Sequence, residues 1–141
     1  MLVPALAYAA FTSTADAHIA RAVAVPFVAM LVMMLSVELP DAGADRETGK
    51  GTLVVRFGIA QSWNILAYLT IPTLLLAACE AISLRTVLGS LAIVPAVIAG
   101  LALVRAALRD PRPATLAFLG VAFYALTVTG LAAAYAAAAA R

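Results

Sequence analysis

Charged residues are scarce in this sequence. Only 11% of its 141 residues are Asp, Glu, Lys or Arg and 65% are hydrophobic, whereas about a quarter of the residues in an average soluble domain are charged. One globule of this size cannot bury so much apolar surface, so we predict that the chain lies in lipid. The net charge of +2 and the dispersed basic residues give no basis for a nucleic acid partner.

Several kinds of chemistry also lack their residues. Cys79 is the single cysteine, so no disulfide can form within the chain. The sequence has no His and Cys cluster with metal-ligand spacing, no Ser-His-Asp arrangement, and no phosphate-binding loop of the GxxxxGKS or GxxxxGKT type. No stretch alternates apolar and polar residues as strands do. We therefore predict an all-α fold and a single membrane domain over residues 1–141.

The apolar residues fall into five segments. Four of them, 18–37, 57–79, 86–104 and 114–140, are long enough to cross a bilayer as helices, and 1–15 resembles the last part of another. The sequence thus predicts a polytopic transmembrane helix bundle of one partial and four complete spanning helices. Prolines inside three of the helices fit either a lined pocket or plain tolerance in lipid. Trp63 fits an interface anchor, and Gly130 with Ala134 fits close helix packing.

Lys and Arg alternate between the connections. Residues 38–58 and 105–113 carry three each, and the other connections carry one each. By the positive-inside rule the two basic-rich connections face the cytoplasm. We expect a multi-pass protein of the plasma membrane with the first of these loops in the cytoplasm and the C-terminus outside.

Polar chemistry has one obvious location, the residues from Glu38 to Gly58, which we name the charged segment. It holds seven of the sixteen charged residues, namely Glu38, Asp41, Asp45, Arg46, Glu47, Lys50 and Arg56. Asp41 and Asp45 are four apart and share one face of a helix, which Pro40 would help to start. Two carboxylates suit a Mg²⁺ ion that keeps waters and binds substrate phosphates.

Basic residues and glycines follow the two aspartates. Gly49 and Gly51 flank Lys50, so that backbone N–H groups and the ammonium could approach an anion. A mixed-charge loop that only solvates a connection fits the same residues, with Asp41 complementing a helix N-terminus. The DxxxD spacing alone does not decide between these two interpretations.

Residues 40–58, PDAGADRETGKGTLVVRFG, resemble the second aspartate-rich motif of the UbiA-type intramembrane prenyltransferases. The matching residues are Asp41, Asp45, Arg46, Gly49, Lys50, Thr52, Leu53 and Gly58. The start and the end of the motif look most like the dihydroxynaphthoate polyprenyltransferase branch. Family members have nine spanning helices, so the resemblance implies that this chain is the second half of that fold. It contains no first motif of the N-D-x-x-D-x-x-x-D kind, so a separate N-terminal half is expected as a partner.

The resemblance also implies a function. It is the transfer of a polyprenyl group from a polyprenyl diphosphate to an aromatic acceptor in menaquinone-like quinone biosynthesis, with Mg²⁺ as cofactor. Asp41 and Asp45 are then the catalytic metal ligands, and Arg46, Lys50 and Arg56 contact the diphosphate. The alternative is a non-catalytic membrane assembly subunit or an inactive remnant. A small transporter ranks last, because it would need ionisable residues at the membrane midplane.

Overall fold

The computed structural model describes residues 17–109 and 111–140, which form helices and no strand. In chain order the helices are α1 (Ala17–Glu38), α2 (Ala42–Glu47), α3 (Leu53–Phe57), α4 (Ile59–Ser83), α5 (Val87–Ala92), α6 (Val94–Arg109) and α7 (Pro113–Ala139). The predicted all-α class is confirmed for this part of the chain. Helices pair their own backbone groups, as an apolar surround requires.

Three helical stretches are long and apolar enough to cross a membrane. They are α4, the stretch Val87–Arg109 that joins α5 to α6, and α7. Helix α4, which is intermediate in length among the three, has 25 residues. At 1.5 Å per residue it is about 37 Å long, which exceeds the thickness of a hydrocarbon core of about 30 Å. In α1 the apolar part Ala22–Glu38 is shorter. The partial helix predicted over 1–15 lies outside the described residues, so these three spans are what length and composition establish.

Three helix boundaries differ from the prediction. Helix α4 continues one turn past Cys79 to Ser83, so Glu80 lies inside a helix and not in a connection. Helix α6 continues to Arg109, so the first half of the predicted connection 105–113 is helical. The fourth predicted span is broken at Ile93, between α5 and α6. Pro95 has no N–H to donate, and the first turn of a helix is where a proline costs least; Pro95 stands there in α6.

Two hydrophobic clusters hold the helices together. The larger one joins α1, α4, α6 and α7 and includes the fully buried Leu66, Leu103, Leu116 and Phe123. It extends to Leu39, Ala42 and Val54 of the charged segment, which therefore packs at the same end of the bundle as the turn between α6 and α7. The smaller cluster, with Val25, Ala77 and Leu131, lies toward the other end.

Small residues set the closest helix contacts. A Cβ added at Gly130 of α7 would lie 2.6 Å from the backbone oxygen of Ala92, and one at Gly120 would lie 2.6 Å from the Cβ of Ser36. Ala134 packs against Gly89 in the same way. The predicted close packing at Gly130 and Ala134 is therefore present, and it is directed at the break between α5 and α6.

The proline in α4 faces outward. Pro72 is exposed, so it is not turned into a pocket. It leaves the carbonyl four residues earlier without its usual helical donor. The hydroxyls of Thr70 and Thr73, on either side, donate to other carbonyls, those of Leu66 and Leu69, at 2.7 and 2.6 Å.

The outer surface is apolar. Large side chains such as Val87, Leu88 and Phe118 expose more than 70% of their surface, far more apolar exposure than a monomeric soluble protein tolerates. The charged residues thus lie toward the ends of the bundle, and the surface between the ends is apolar.

Candidate functional site

The charged segment is folded, not a flexible loop. Helix α2 begins after Asp41, as Pro40 and Asp41 predicted, and the N–H of Asp45 donates to the carbonyl of Asp41 at 2.9 Å. The Asp41 side chain makes no capping hydrogen bond and is exposed. Asp45, one turn later, is 7% exposed. The two carboxylates therefore share a helix but differ in environment.

Gly49 ends α2 with a backbone turn that returns the chain to Asp45. The φ angle of Gly49 is +73°, in the left-handed region where only glycine is at ease. The N–H of Lys50 donates to the carbonyl of Asp45 at 2.9 Å, and that of Gly49 to the carbonyl of Arg46 at 3.3 Å. These two bonds are the Schellman pattern of a helix C-terminus. A left-handed glycine therefore ends α2.

The turn brings the side chain of Lys50 onto that of Asp45. Lys50 Nζ donates to Asp45 Oδ1 at 2.9 Å, and the lysine side chain remains 67% exposed while that of Asp45 is 10% exposed. The hydrogen bond that Lys50 donates to Asp45, the charge of Asp45 and the more distant charge of Asp41 together hold the pKa of Lys50 above its ordinary value. Both carboxylates thus act on Lys50.

Arg56 is brought to the same turn from α3. A Cβ added at Gly51 would lie 3.3 Å from Nε and from one terminal nitrogen of Arg56. The guanidinium therefore lies over the backbone of Gly51, next to Lys50, where a side chain at position 51 would crowd it. Arg46 is exposed on the last turn of α2. Of the three predicted diphosphate contacts, the fold places Lys50 and Arg56 beside one turn and leaves Arg46 on the outer surface of α2.

Glu38 is a residue of this region that the sequence reasoning did not assign. It is the last residue of α1, and its Oε2 accepts a hydrogen bond from the N–H of Val54 at 3.4 Å. Thr52 caps the same helix, α3, by accepting from the N–H of Val55 at 3.4 Å. Glu38 therefore ties the end of α1 to the start of α3 and holds the charged segment closed. In the sequence, the only indication of this role was an acidic residue that precedes a helix capped by a threonine.

The donor set can be compared with what Mg²⁺ requires. In residues 17–109 and 111–140 no group of three or more His, Cys, Asp or Glu side chains is arranged to hold a metal. Two carboxylates one turn apart are hard oxygen donors of the right kind, but too few for an ion bound by protein alone. The arrangement fits Mg²⁺ only as an ion that takes its remaining ligands from water and phosphate.

Polar groups at two other places complete the description. Buried Glu80, near the other end of α4, accepts a hydrogen bond of 2.6 Å from the hydroxyl of Tyr135. Glu80 is therefore a buried ionisable residue inside α4, three residues from its end at Ser83. Trp63 packs against the larger cluster, and its indole N–H is buried without a hydrogen-bond partner. It does not present that N–H to the interface as an anchor would.

Fold and composition define the class of this protein. It is an all-helical integral membrane protein by the length and apolar character of three of its helices, with a compact charged segment at one end of the bundle. Comparison of the chain with protein-family profiles, curated proteins and solved structures finds no match among any of them.

Proposed function

We propose that the charged segment binds Mg²⁺ and the diphosphate of a polyprenyl diphosphate, and that the chain takes part in transfer of the polyprenyl group to an aromatic acceptor of quinone biosynthesis. The observation that carries this proposal is the contact of Lys50 Nζ with Asp45 Oδ1 at 2.9 Å. It joins the predicted metal ligand to the predicted diphosphate contact at the end of an apolar bundle, which is where a charged group on a lipid tail would lie.

Each of the predicted site residues has a role in this proposal. Asp41 and Asp45 would hold Mg²⁺, which supplies electrostatic stabilisation of the charge that develops on the departing diphosphate. Lys50 uses one ammonium hydrogen on Asp45 and keeps two more for phosphate oxygens, since 67% of its side chain is exposed. Arg56 offers a planar guanidinium beside the same turn, suited to two phosphate oxygens at once. Arg46 contributes charge from the exposed side of α2.

The pairing of Asp45 with Lys50 has a consequence for binding. One carboxylate oxygen of Asp45 is taken by the ammonium, so the other oxygen is the one available to a cation. A bound diphosphate would compete with Asp45 for Lys50 and draw the ammonium toward itself. Metal and diphosphate are therefore expected to bind together, each making the other's ligand available.

A non-catalytic assembly subunit is the second candidate, and one observation favours it. The charge of Asp45 is already balanced by Lys50. An ion pair of this kind can have a purely structural role, in which it holds a connection between helices closed. The resemblance places the remaining metal ligands in a separate N-terminal half. A subunit that binds no diphosphate would not need those ligands.

Binding of an unreactive substrate analogue tests the proposal. Farnesyl thiolodiphosphate is titrated calorimetrically into the purified chain in nanodiscs, with and without Mg²⁺. We expect Mg²⁺-dependent binding that Asp41→Asn and Asp45→Asn each weaken by about 10-fold or more, the effect of losing a metal-site carboxylate. Glu47→Gln is the matched control, because Glu47 is an exposed carboxylate of the same short helix and has no assigned role.

The outcomes separate the two candidates. Binding that ignores Mg²⁺, or that falls equally in all three variants, would refute the metal-ligand assignment. No binding at all would favour the assembly subunit. If binding holds, the chain is reconstituted with an N-terminal half that carries the first motif. Product formation by that enzyme with dihydroxynaphthoate compared with hydroxybenzoate identifies the class of aromatic acceptor.

A further inference from the structure

A second polar feature lies at the turn between α6 and α7. A cavity of about 450 Å³ is lined there by the residues Ala102, Arg105, Ala106, Arg109, Arg112 and Thr115. We name it the arginine cavity. It opens at the same end of the bundle as the charged segment, because α6 ends there and α7 begins there.

Helix geometry explains why the cavity exists. Arg105 and Arg109 are four residues apart and share one face of α6. Ala102 and Ala106 lie on that face too, and their small side chains leave room beside the arginine stems. Leu103 and Ala107, by contrast, are buried in the larger hydrophobic cluster. The arginine face of α6 is therefore distinct from the face that packs toward the charged segment.

The cavity is strongly electropositive. Within the described residues neither Arg105 nor Arg109 makes a hydrogen bond or an ion pair with a carboxylate. Arg109 complements the C-terminus of α6. Arg112, at the N-cap of α7, already has an interaction partner, so Arg105 and Arg109 are the residues that make the cavity electropositive. The first turn of α7 carries no acidic residue. Asp110 lies outside the described residues, and residues 105–113 remain net positive with it included.

The surface toward the middle of the bundle is apolar. Leu101 and Ile98 lie one and two turns from Arg105 along α6 and are 58% and 64% exposed, and Phe118 on α7 is 72% exposed. A ligand with a phosphate at the arginines and hydrocarbon chains along these side chains would match both parts of the surface. A soluble phosphate would use only the first part.

We propose that the arginine cavity binds the phosphate headgroup of an anionic membrane phospholipid. Guanidinium groups pair with phosphate through two parallel hydrogen bonds, and Thr115 offers a hydroxyl donor. Basic pockets between membrane helices bind anionic headgroups in this way. The site is separate from the charged segment and does not depend on prenyl transfer.

Native mass spectrometry tests this site on the purified chain in a neutral detergent. Phosphatidylglycerol and phosphatidylcholine of the same acyl chains are added in turn, and the number of lipids retained is counted. We expect one phosphatidylglycerol retained per chain in preference to phosphatidylcholine. Arg105→Gln or Arg109→Gln should weaken its retention by about 5-fold each, and the double variant by about 30-fold, at the usual contribution of a basic residue at a membrane surface.

Two controls make the result specific. Arg85→Gln removes an exposed arginine at the opposite end of the bundle and should leave retention unchanged. The double variant Arg105→Lys with Arg109→Lys keeps the charge but loses the paired hydrogen bonds, so it should retain less lipid than the native chain and more than the double glutamine variant. Equal retention of the two lipids, or an equal loss in Arg85→Gln, would refute the site. Displacement of the lipid by millimolar inorganic phosphate would show a phosphate site and overturn the lipid assignment.

Discussion

Replacing Gly49 with alanine is the sharpest test of how the charged segment is built. Gly49 has a φ of +73° and nothing lies within 4 Å of the position that a Cβ would take. The substitution therefore causes no collision, and its effect comes from the backbone alone. Gly43, inside α2, also has open space around its Cβ position, but its φ is not in the left-handed region. The two glycines form a matched pair.

The magnitudes follow from these conformations. A left-handed backbone costs a residue with a Cβ about 1–2 kcal/mol relative to glycine. Alanine in place of glycine inside a helix gains about 0.5–1 kcal/mol. The variants Gly49→Ala and Gly43→Ala should therefore differ by about 2 kcal/mol in the local stability of the segment, which is about 30-fold in its opening equilibrium.

Amide hydrogen exchange measures this opening directly. The N–H of Lys50 is bonded to the carbonyl of Asp45 at 2.9 Å, so its protection reports the turn that carries the proposed site. Protection should fall in Gly49→Ala and be kept or increased in Gly43→Ala, with the amides of α7 unaffected in both. Equal protection in the two variants would refute the argument that a left-handed glycine positions Lys50.

Two further predictions concern packing and ionisation. Gly130→Val would force side-chain atoms against the Ala92 carbonyl, whose oxygen lies 2.6 Å from the added Cβ. It should lower the free energy of unfolding, measured by titration with a denaturing detergent, by about 1–3 kcal/mol. Ala132→Val, at an exposed position of the same helix, is the control, and an equal loss of stability there would contradict the packing argument. Lys50 is the chain's single lysine, so NMR of lysine labelled at Cε reports its titration, which should be centred above the ordinary value of about 10.4 and return toward it in Asp45→Asn. Because the folded pKa is raised, the stabilisation from the bond is fully present below about pH 10.4 and is lost as pH rises through the folded pKa; a midpoint at or below the ordinary value would contradict the pairing.

Much of the fold could be predicted because lipid imposes a simple rule on the backbone. Uncharged runs such as those of α4 and α7 must be helical. The predicted helix starts at residues 86 and 114 lie within one residue of the starts of α5 and α7. The end of α4 was predicted wrongly because a tertiary contact outweighs what the local sequence indicates there. Glu80 reads as a loop residue by its charge, yet its bond with Tyr135 allows it to stay inside a buried helix turn.

The candidate site shows the same division. Asp41, Asp45 and Lys50 were identifiable from residue type and spacing, because carboxylates followed by a glycine-flanked cation are unusual in so apolar a chain. Their geometry was not, since a separation of five residues does not specify a contact. It arises from the left-handed turn at Gly49 and leaves Asp41 open to solvent. Glu38 entered the site only through its bond with Val54 of α3.

The distribution of polar residues along the chain is enough to predict the all-helical class, the approximate positions of the long helices and the position of the charged segment, because all three depend on where polarity occurs. Which charges meet depends on the folded backbone. Lys50 contacts Asp45, Arg56 lies over Gly51, and Arg105, Arg109 and Arg112 line one cavity. These residues are only a few positions apart, and such spacing does not specify a contact, which forms only when the backbone turns and the helix ends take their folded positions.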